Sequence, residues 1–253
     1  MRTHLLSAAF AVAAIAPGAA LAQSGHAELV YTNQSYDFGG VGFEPNLVSV
    51  GGQVAFDAGP VGVQLDGRYT NWGGDADDVD AFGVGAHVYK RNESWLFGGY
   101  LGYEDIDDFN AELLTGALET QWYFDRATFS GVLSHSIWDG PDYAITMLEG
   151  EYRHFLSDNF TVHVGLDVGQ GDIGASDPDL WGGEIGAEYM FAGAPVSVFG
   201  GYRYSNLDFG VGEIEVDALS VGVRYNWGGS LRERNRSGAG LNRVLHVLDR
   251  FLS

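Results

Sequence analysis

Apolar and polar residues alternate along most of this chain, most clearly in the segment Leu219–Trp227. Every second position there is apolar, and the positions between are small or polar. Successive side chains of a strand point to opposite faces, so the segment predicts a strand with one apolar and one polar face. That division is typical of a strand with lipid on one side and a wet lumen on the other.

The same alternation divides residues 27–227 into a series of strand-like segments. They cover 27–36, 47–57, 61–70, 81–89, 95–104, 112–124, 128–138, 143–155, 160–168, 181–191, 195–205 and 219–227. The first segment is poorly patterned, so ten or fourteen strands are alternatives to the expected twelve. After residue 22, no apolar run approaches the roughly 20 residues that a spanning helix needs. A chain without such a helix can cross a bilayer only as a closed barrel, because only closure pairs every backbone group in lipid. We therefore predict an all-β fold, a closed antiparallel transmembrane β-barrel.

The connections alternate between short turns and longer acidic loops, and the tryptophans follow that division. Transmembrane barrels have short periplasmic turns and longer external loops, and an even strand count puts both ends of the barrel on the periplasmic side. Indole rings favour the two membrane interfaces. We therefore expect an external aromatic belt and a periplasmic one, although a soluble β-sandwich with buried tryptophans is the alternative. The external belt would contain Trp72, Trp138 and Trp181, and the periplasmic belt Trp95, Trp122 and Trp227.

The first 22 residues have the pattern of a cleaved signal peptide. Arg2 gives the positive start, Leu5–Ala16 the apolar core and Ala20-Leu21-Ala22 a small-x-small cleavage site. The sequence thus predicts a leader over 1–22 and a single barrel domain over 23–227.

Residues 228–253 differ in composition and are predicted to be a basic, amphipathic periplasmic tail. Apolar residues recur at helical spacing over about 240–252, which predicts a short helix there. Two interpretations stay open, a loosely ordered interfacial tail and a plug or latch in the pore. Its basic residues are Arg232, Arg234, Arg236, Arg243 and Arg250.

The leader, the alternation over 27–227 and the closing strand Leu219–Trp227 together resemble small porin-like outer-membrane β-barrels of Gram-negative bacteria. In that family the closing strand carries the signal read by the barrel-assembly machinery, normally with a final Phe at the end of the chain. Here Trp227 stands in its place and a tail follows. The resemblance implies the cell outer membrane as location, with outer-membrane lipid, lipopolysaccharide and the assembly machinery as partners.

The charge balance is strongly acidic, with 34 Asp and Glu against 13 Lys and Arg, and a formal net charge of −21. An acidic mouth concentrates cations over a Debye length of about 8 Å and argues against a nucleic-acid partner. Solvated loops and loosely bound Ca²⁺ or Mg²⁺ bridging to lipopolysaccharide are both open interpretations. The run 75–80 lacks the Gly and distant Glu of a calcium-hand loop, so no dedicated metal site or cofactor is expected. The loop acids are Asp75, Asp77, Asp78, Asp80, Asp105, Asp107, Asp108, Asp172, Asp177 and Asp179.

The polar faces of the predicted strands carry charges that should line the lumen and set its selectivity. Unpaired charges in a narrow lumen are costly, so they must pair or face water. Twelve strands lie between a filled small barrel and a wide porin, so a narrow pore and a plugged lumen both stay open. The lumenal set is Asp66, Arg68, Glu119, Glu149, Glu151, Arg153, Asp167, Glu184, Glu188, Arg203 and Arg224.

No catalytic site is predicted. His135 and Ser136 are adjacent and would point to opposite faces, while His163 and Asp167 share a face but lie roughly 13 Å apart along a strand. The favoured function is a porin-like channel for passive diffusion of small hydrophilic solutes, with a preference for cations. The alternative is a non-conducting structural or adhesive barrel whose lumen is filled by side chains or by the tail.

Overall fold

The structure is a computed structural model that describes residues 23–73, 79–106, 111–139, 143–174, 176–238 and 240–241. The predicted leader and nearly all of the predicted helix at 240–252 lie outside these residues. The elements are β1 (Ser24–Phe38), β2 (Val41–Phe43), β3 (Asn46–Ala58), β4 (Val61–Gly73), β5 (Val79–Arg91), β6 (Trp95–Ile106), β7 (Ala111–Tyr123), β8 (Ala127–Asp139), β9 (Tyr143–Ser157), β10 (Phe160–Ile173), β11 (Asp179–Met190), β12 (Val196–Asp208), β13 (Glu213–Trp227) and α1 (Leu231–Ser237).

The strands form a closed antiparallel barrel, as the sequence predicts. Each long strand pairs with the next along the chain, and β13 closes the ring by pairing with β1 from Gly25↔Trp227 to Phe38↔Ile214. Twelve long strands make the wall, and the three-residue β2 only extends the hairpin between β1 and β3. Closure leaves no unpaired strand edge, which a barrel in lipid requires.

The outer surface is an apolar belt. Leu166, Ile185 and Leu219 are each about 60–70% exposed, and they alternate along their strands with inward residues. Val162, Val164 and Leu166 point outward, as expected for a lipid-facing strand. Among the described residues, no helix is long and apolar enough to cross a bilayer.

The two ends of the barrel differ, and we name them by their connections. At the turn end, short connections such as 59–60, 92–94 and 158–159 join the strands, and both ends of the wall lie here. The loop end carries the longer connections. Several strands extend further toward the loop end than predicted, since β13 begins at Glu213 and β10 continues to Ile173.

The inward face at the loop end is apolar, which explains why the alternation failed there. On β13, for example, Ile214 and Val216 point inward while Glu215 points outward, so the apolar and polar faces are exchanged relative to the rest of the strand. We call this set the apolar layer. It consists of Tyr36, Ile145, Met147, Leu180, Leu207 and Val216, and of Ala81, Ile106 and Leu113.

Trp72 and Trp138 are not in the external belt, which corrects that prediction. Both are partly buried on the lumenal face and pack against the apolar layer, Trp138 against both of its clusters. Their position beside the loops was predicted, but their face was not, because an indole is equally at home in an apolar interior. Trp181, Trp95 and Trp122 are exposed on the outside.

The acidic loops are shorter than predicted. Asp80, Asp105 and Asp179 lie inside strands, and Asp80 is buried, where it accepts hydrogen bonds from Tyr69 (2.5 Å) and Asn71 (2.9 Å). Exposed acids near the same end include Asp172 and Asp177. The remaining loop acids, Asp75, Asp77, Asp78, Asp107 and Asp108, lie outside the described residues.

Candidate functional site: the lumen

The charged residues predicted for the lumen all project from the inward face of their strands. Small and polar partners leave room for them, and together they surround a cavity of about 360 Å³. Asp66 is the one member that does not line this cavity, since it is buried in the wall beside His87. The cavity is lined by Arg68, Glu119, Glu149, Glu151, Arg153, Asp167, Glu184, Glu188, Arg203 and Arg224, among others.

Two arginines each bridge two carboxylates that come from two other strands. Arg224 donates from Nε to Glu28 (2.8 Å) and from Nη1 to Glu188 (2.6 Å), and its guanidinium lies 4.3 Å from the centre of the Phe199 ring. Arginine suits this role because its planar fork presents several fixed donors. The first pair joins β13 to β1, so it spans the seam where the barrel closes.

Arg203 makes the second bridge, to Asp167 (3.0 Å) and to Glu184. These two carboxylates come from β10 and β11, on the same side of the lumen. One guanidinium therefore balances two carboxylates, and a negative charge remains at each bridge.

A buried histidine holds a further pair of carboxylates, which the sequence interpretation missed. His87 is fully buried, with Nε2 2.5 Å from Asp66 and Nδ1 2.8 Å from Glu119. Only a doubly protonated imidazole can donate from both nitrogens. The ring also contacts Tyr100, with centroids 4.6 Å apart. The sequence position of His87 could have revealed this lumenal residue, because His87 alternates with outward apolar residues on β5.

The described inward residues carry more carboxylates than arginines. The carboxylates are Glu28, Asp66, Glu104, Glu119, Glu149, Glu151, Asp167, Glu184 and Glu188, and the wall arginines are Arg68, Arg91, Arg153, Arg203 and Arg224. Glu28 and Glu104 were missing from the prediction, Glu28 because the first segment is poorly patterned. The charged side chains of the inner wall therefore have a surplus of carboxylates over arginines.

Beyond β13 the chain turns back into the turn end of the barrel. Gly228 and Gly229 have φ values of +90° and +115°, which glycine adopts without strain, and α1 follows. Its N-cap is Ser230, whose side chain accepts from the amide of Glu233, while the Glu233 carboxylate accepts from the Ser230 amide (2.8 Å). These hydrogen bonds hold the pKa of Glu233 below its usual value. This capping box starts the helix.

We call residues 228–241 the C-terminal segment, and its polar side chains bond to the barrel wall. Arg234 is buried and donates to the Asn226 amide oxygen and to His26 (2.9 Å). Burial and the nearby Arg224 lower the pKa of Arg234 to about 10. Asn235, also buried, accepts from the hydroxyl of Thr128 (2.6 Å).

The backbone of the segment is also bonded to the wall. Gln64 donates to the carbonyl of Leu241 (2.9 Å) and accepts from its amide (3.2 Å), and Gln121 donates to the carbonyl of Gly240 (3.2 Å). Arg91 donates to the carbonyl of Gly238 at 3.1 and 3.2 Å. The segment therefore crosses the lumen from β13 to β4 and β7.

Apolar contacts fix both ends of that crossing. Leu231 packs with Phe155 and Met190, and Leu241 packs with Tyr89, Leu96 and Tyr123. All of these wall residues face inward at the turn end. The segment thus forms a floor beneath the cavity, and Leu231, Arg234, Asn235, Gly240 and Leu241 line it.

The histidine–serine pair considered for catalysis is separated by the wall. His135 is exposed on the outer face, and Ser136 faces the lumen, where its hydroxyl lies 2.6 Å from that of Thr115. His163 and Asp167 share the inner face, two alternate positions apart on β10.

Comparison with known proteins places the fold among outer-membrane channels. No protein-family model matches the chain, and no curated protein matches it. The COG4313 outer membrane channel from Pseudomonas putida F1 has a TM-score of 0.64 at 9% identity, over 81% of this chain and 95% of that one. The CymD monoaromatic hydrocarbon channel gives 0.55 at 10% identity (81% and 88%), and the KdgM porin gives 0.53 at 12% (79% and 99%). Together with the closed wall and the apolar belt, these similarities show that the chain has the fold of outer-membrane porin-like channels.

Proposed function

We propose that this protein is an outer-membrane channel for the passive diffusion of small hydrophilic solutes, with a preference for cations. The observation that carries the proposal is the polar cavity along the barrel axis, in which carboxylates outnumber arginines. Arg203 and Arg224 each serve two carboxylates. A permeating cation meets a surplus of negative charge there, whereas an anion is repelled.

The fold supports the same proposal. Structural neighbours with TM-scores above 0.5 include channels and a porin. We further propose that the leader directs export and that β13 is recognised during assembly. Lipopolysaccharide, bridged by loosely bound Ca²⁺ or Mg²⁺ at the loop acids, would surround the loop end.

Planar-bilayer recording tests the proposal directly. Folded protein is inserted and the reversal potential is measured under a KCl gradient, for the full chain and for a form lacking Gly228–Ser253. We expect discrete conductance steps and a reversal potential whose sign shows that K⁺ permeates more readily than Cl⁻. An anion-selective reversal potential would overturn the cation preference, and the absence of steps from both forms would overturn the channel.

A non-conducting barrel is the second candidate, and the two filled ends of the lumen favour it. At the loop end, the apolar layer narrows the lumen. At the turn end, the C-terminal segment crosses it. This candidate predicts no conductance from either form, so the same recording separates the two functions.

A further inference from the structure

We propose that Glu151, His163 and Glu184 form a lumenal binding site for a divalent transition-metal ion such as Zn²⁺. This inference deepens the proposed channel function, because it places a divalent cation on the wall of the pore. The candidate ligand atoms of these three residues, one imidazole nitrogen and two carboxylate oxygens, all lie within 4.8 Å of one another. Imidazole together with carboxylates suits zinc and its neighbours, whereas Mg²⁺ and Ca²⁺ favour oxygen alone.

The strand register brings these three side chains together. Gly165 on β10 lies directly opposite Glu151 on β9 and opposite Glu184 on β11. His163 is two residues from Gly165 on the same inward face. Two carboxylates thus flank a glycine in one row of the wall, and the imidazole projects from the next row.

Glycines provide the space into which these side chains lean. A Cβ on Gly165 would lie 2.9 Å from the Glu184 side chain, so Glu184 lies across the glycine toward its partners. A Cβ on Gly186 would lie 2.5 Å from the ring carbon Cε1 of His163. A side chain at either glycine would therefore push a ligand away from the others.

Arginines hold the carboxylates in orientation. Arg203 binds Oε2 of Glu184, whereas Oε1 faces His163 Nε2 at 4.0 Å. Arg153 lies 3.0 Å from Glu151. Donors behind the ligands are the usual outer shell of a metal site, where they orient the carboxylates. Metal–ligand bonds of about 2.1 Å require the ligand atoms to move together by roughly 1 Å, which rotation of the Glu side chains allows.

The site opens into the cavity, so an ion can reach it. Glu151, His163 and Glu184 all line that cavity. Three protein ligands leave a coordination position for water, as in open zinc sites. Glu188 and Asp167 line the same cavity and add to the negative potential around it.

Metal binding is measured by calorimetry with Zn²⁺, and by the visible absorption of Co²⁺, on the full folded chain in detergent. We expect one ion per barrel, and at least tenfold weaker binding in His163→Ala and in Glu184→Gln. His135→Ala removes an imidazole from the outer face and should leave binding unchanged. Because Zn²⁺ binding is measured without a bilayer, its result is independent of conductance. A failure of the metal site can therefore be distinguished from a failure of the channel proposal.

Two outcomes would overturn the site. One is the absence of saturable Zn²⁺ binding by a chain whose heat-modifiable migration shows that it is folded. The other is binding that His163→Ala and Glu184→Gln leave unchanged, which would place the ion elsewhere. Gly165→Ala provides a variant that keeps every ligand, and it should weaken binding by displacing Glu184.

Discussion

The two ends of the lumen are narrowed in different ways. At the loop end, the apolar layer is made by side chains of the wall strands themselves, such as Ile145 on β9 and Val216 on β13. At the turn end, the floor is a separate stretch of chain whose contacts with the wall include Arg234 with Asn226. The side chains of the apolar layer belong to the hydrogen-bonded strands themselves, whereas the C-terminal segment is a separate stretch that binds to those strands.

This difference between wall side chains and a separate segment predicts which end of the lumen can widen. The apolar layer cannot leave the lumen unless the strands that carry it move. The C-terminal segment is tethered through Gly228 and Gly229, and it is held to the wall by hydrogen bonds and by the apolar contacts of Leu231 and Leu241. Each such bond contributes a net of about 0.5–1.5 kcal/mol, because water replaces the lost partner. The turn end is therefore the natural place for a change of pore width.

Deleting Gly228–Ser253 should have the largest effect. We expect the single-channel conductance to rise several-fold, because the floor of the cavity is removed, whereas the wall should still fold into a heat-modifiable barrel. The barrel closes through β13 and β1 without this stretch. Equal conductance from the two forms would show that the segment does not obstruct the pore.

Ile145→Ala tests the opposite end and should act on stability instead. Ile145 is 2% exposed within the apolar layer, and truncating such a side chain typically costs about 2–5 kcal/mol. Urea unfolding in micelles measures the loss, and the conductance of the full chain should stay nearly constant because the floor remains in place. Ile137→Ala, on the outer face of β8, is the matched control with a smaller expected loss. A large rise in conductance from Ile145→Ala alone would mean that the loop end limits the flow.

Glu233→Gln should produce the smallest change, confined to the C-terminal segment. Loss of the capping box weakens α1 by about 0.5–1 kcal/mol. The pKa of Glu233 is lowered by its hydrogen bonds with Ser230, so its contribution is present above the ordinary pKa of 4.5 and is lost as the pH falls through the lowered value. The protection factors of the 231–237 amides, which are corrected for the intrinsic pH dependence of exchange, should fall in acid for the native chain, and this pH response should shrink in the variant. Glu93→Gln, in an exposed turn, is the control, and an identical pH response in Glu233→Gln would exclude the capping carboxylate as its source.

The sequence by itself determined the two-faced strands, their order and the barrel class. A period of two is a local property, so Val162 and Asp167 could be assigned to opposite faces without any knowledge of their partners. The same rule located the charged residues of the lumen. It failed at the loop end, where apolar residues point inward and polar residues such as Asp172 and Glu215 point outward, so β10 and β13 were predicted too short. Trp72 and Trp138 were assigned from their place beside the loops, which does not specify the face on which they lie.

Only the tertiary structure decided which of those residues meet. Arg224 joins Glu28 across the closing seam, and His87 joins Asp66 and Glu119 from two other strands. These contacts depend on strand register and closure, which the alternation in a single strand does not specify. The tail's composition indicated its basic character, but its place inside the barrel follows from the complementary donors, acceptors and apolar side chains that the finished wall presents to it.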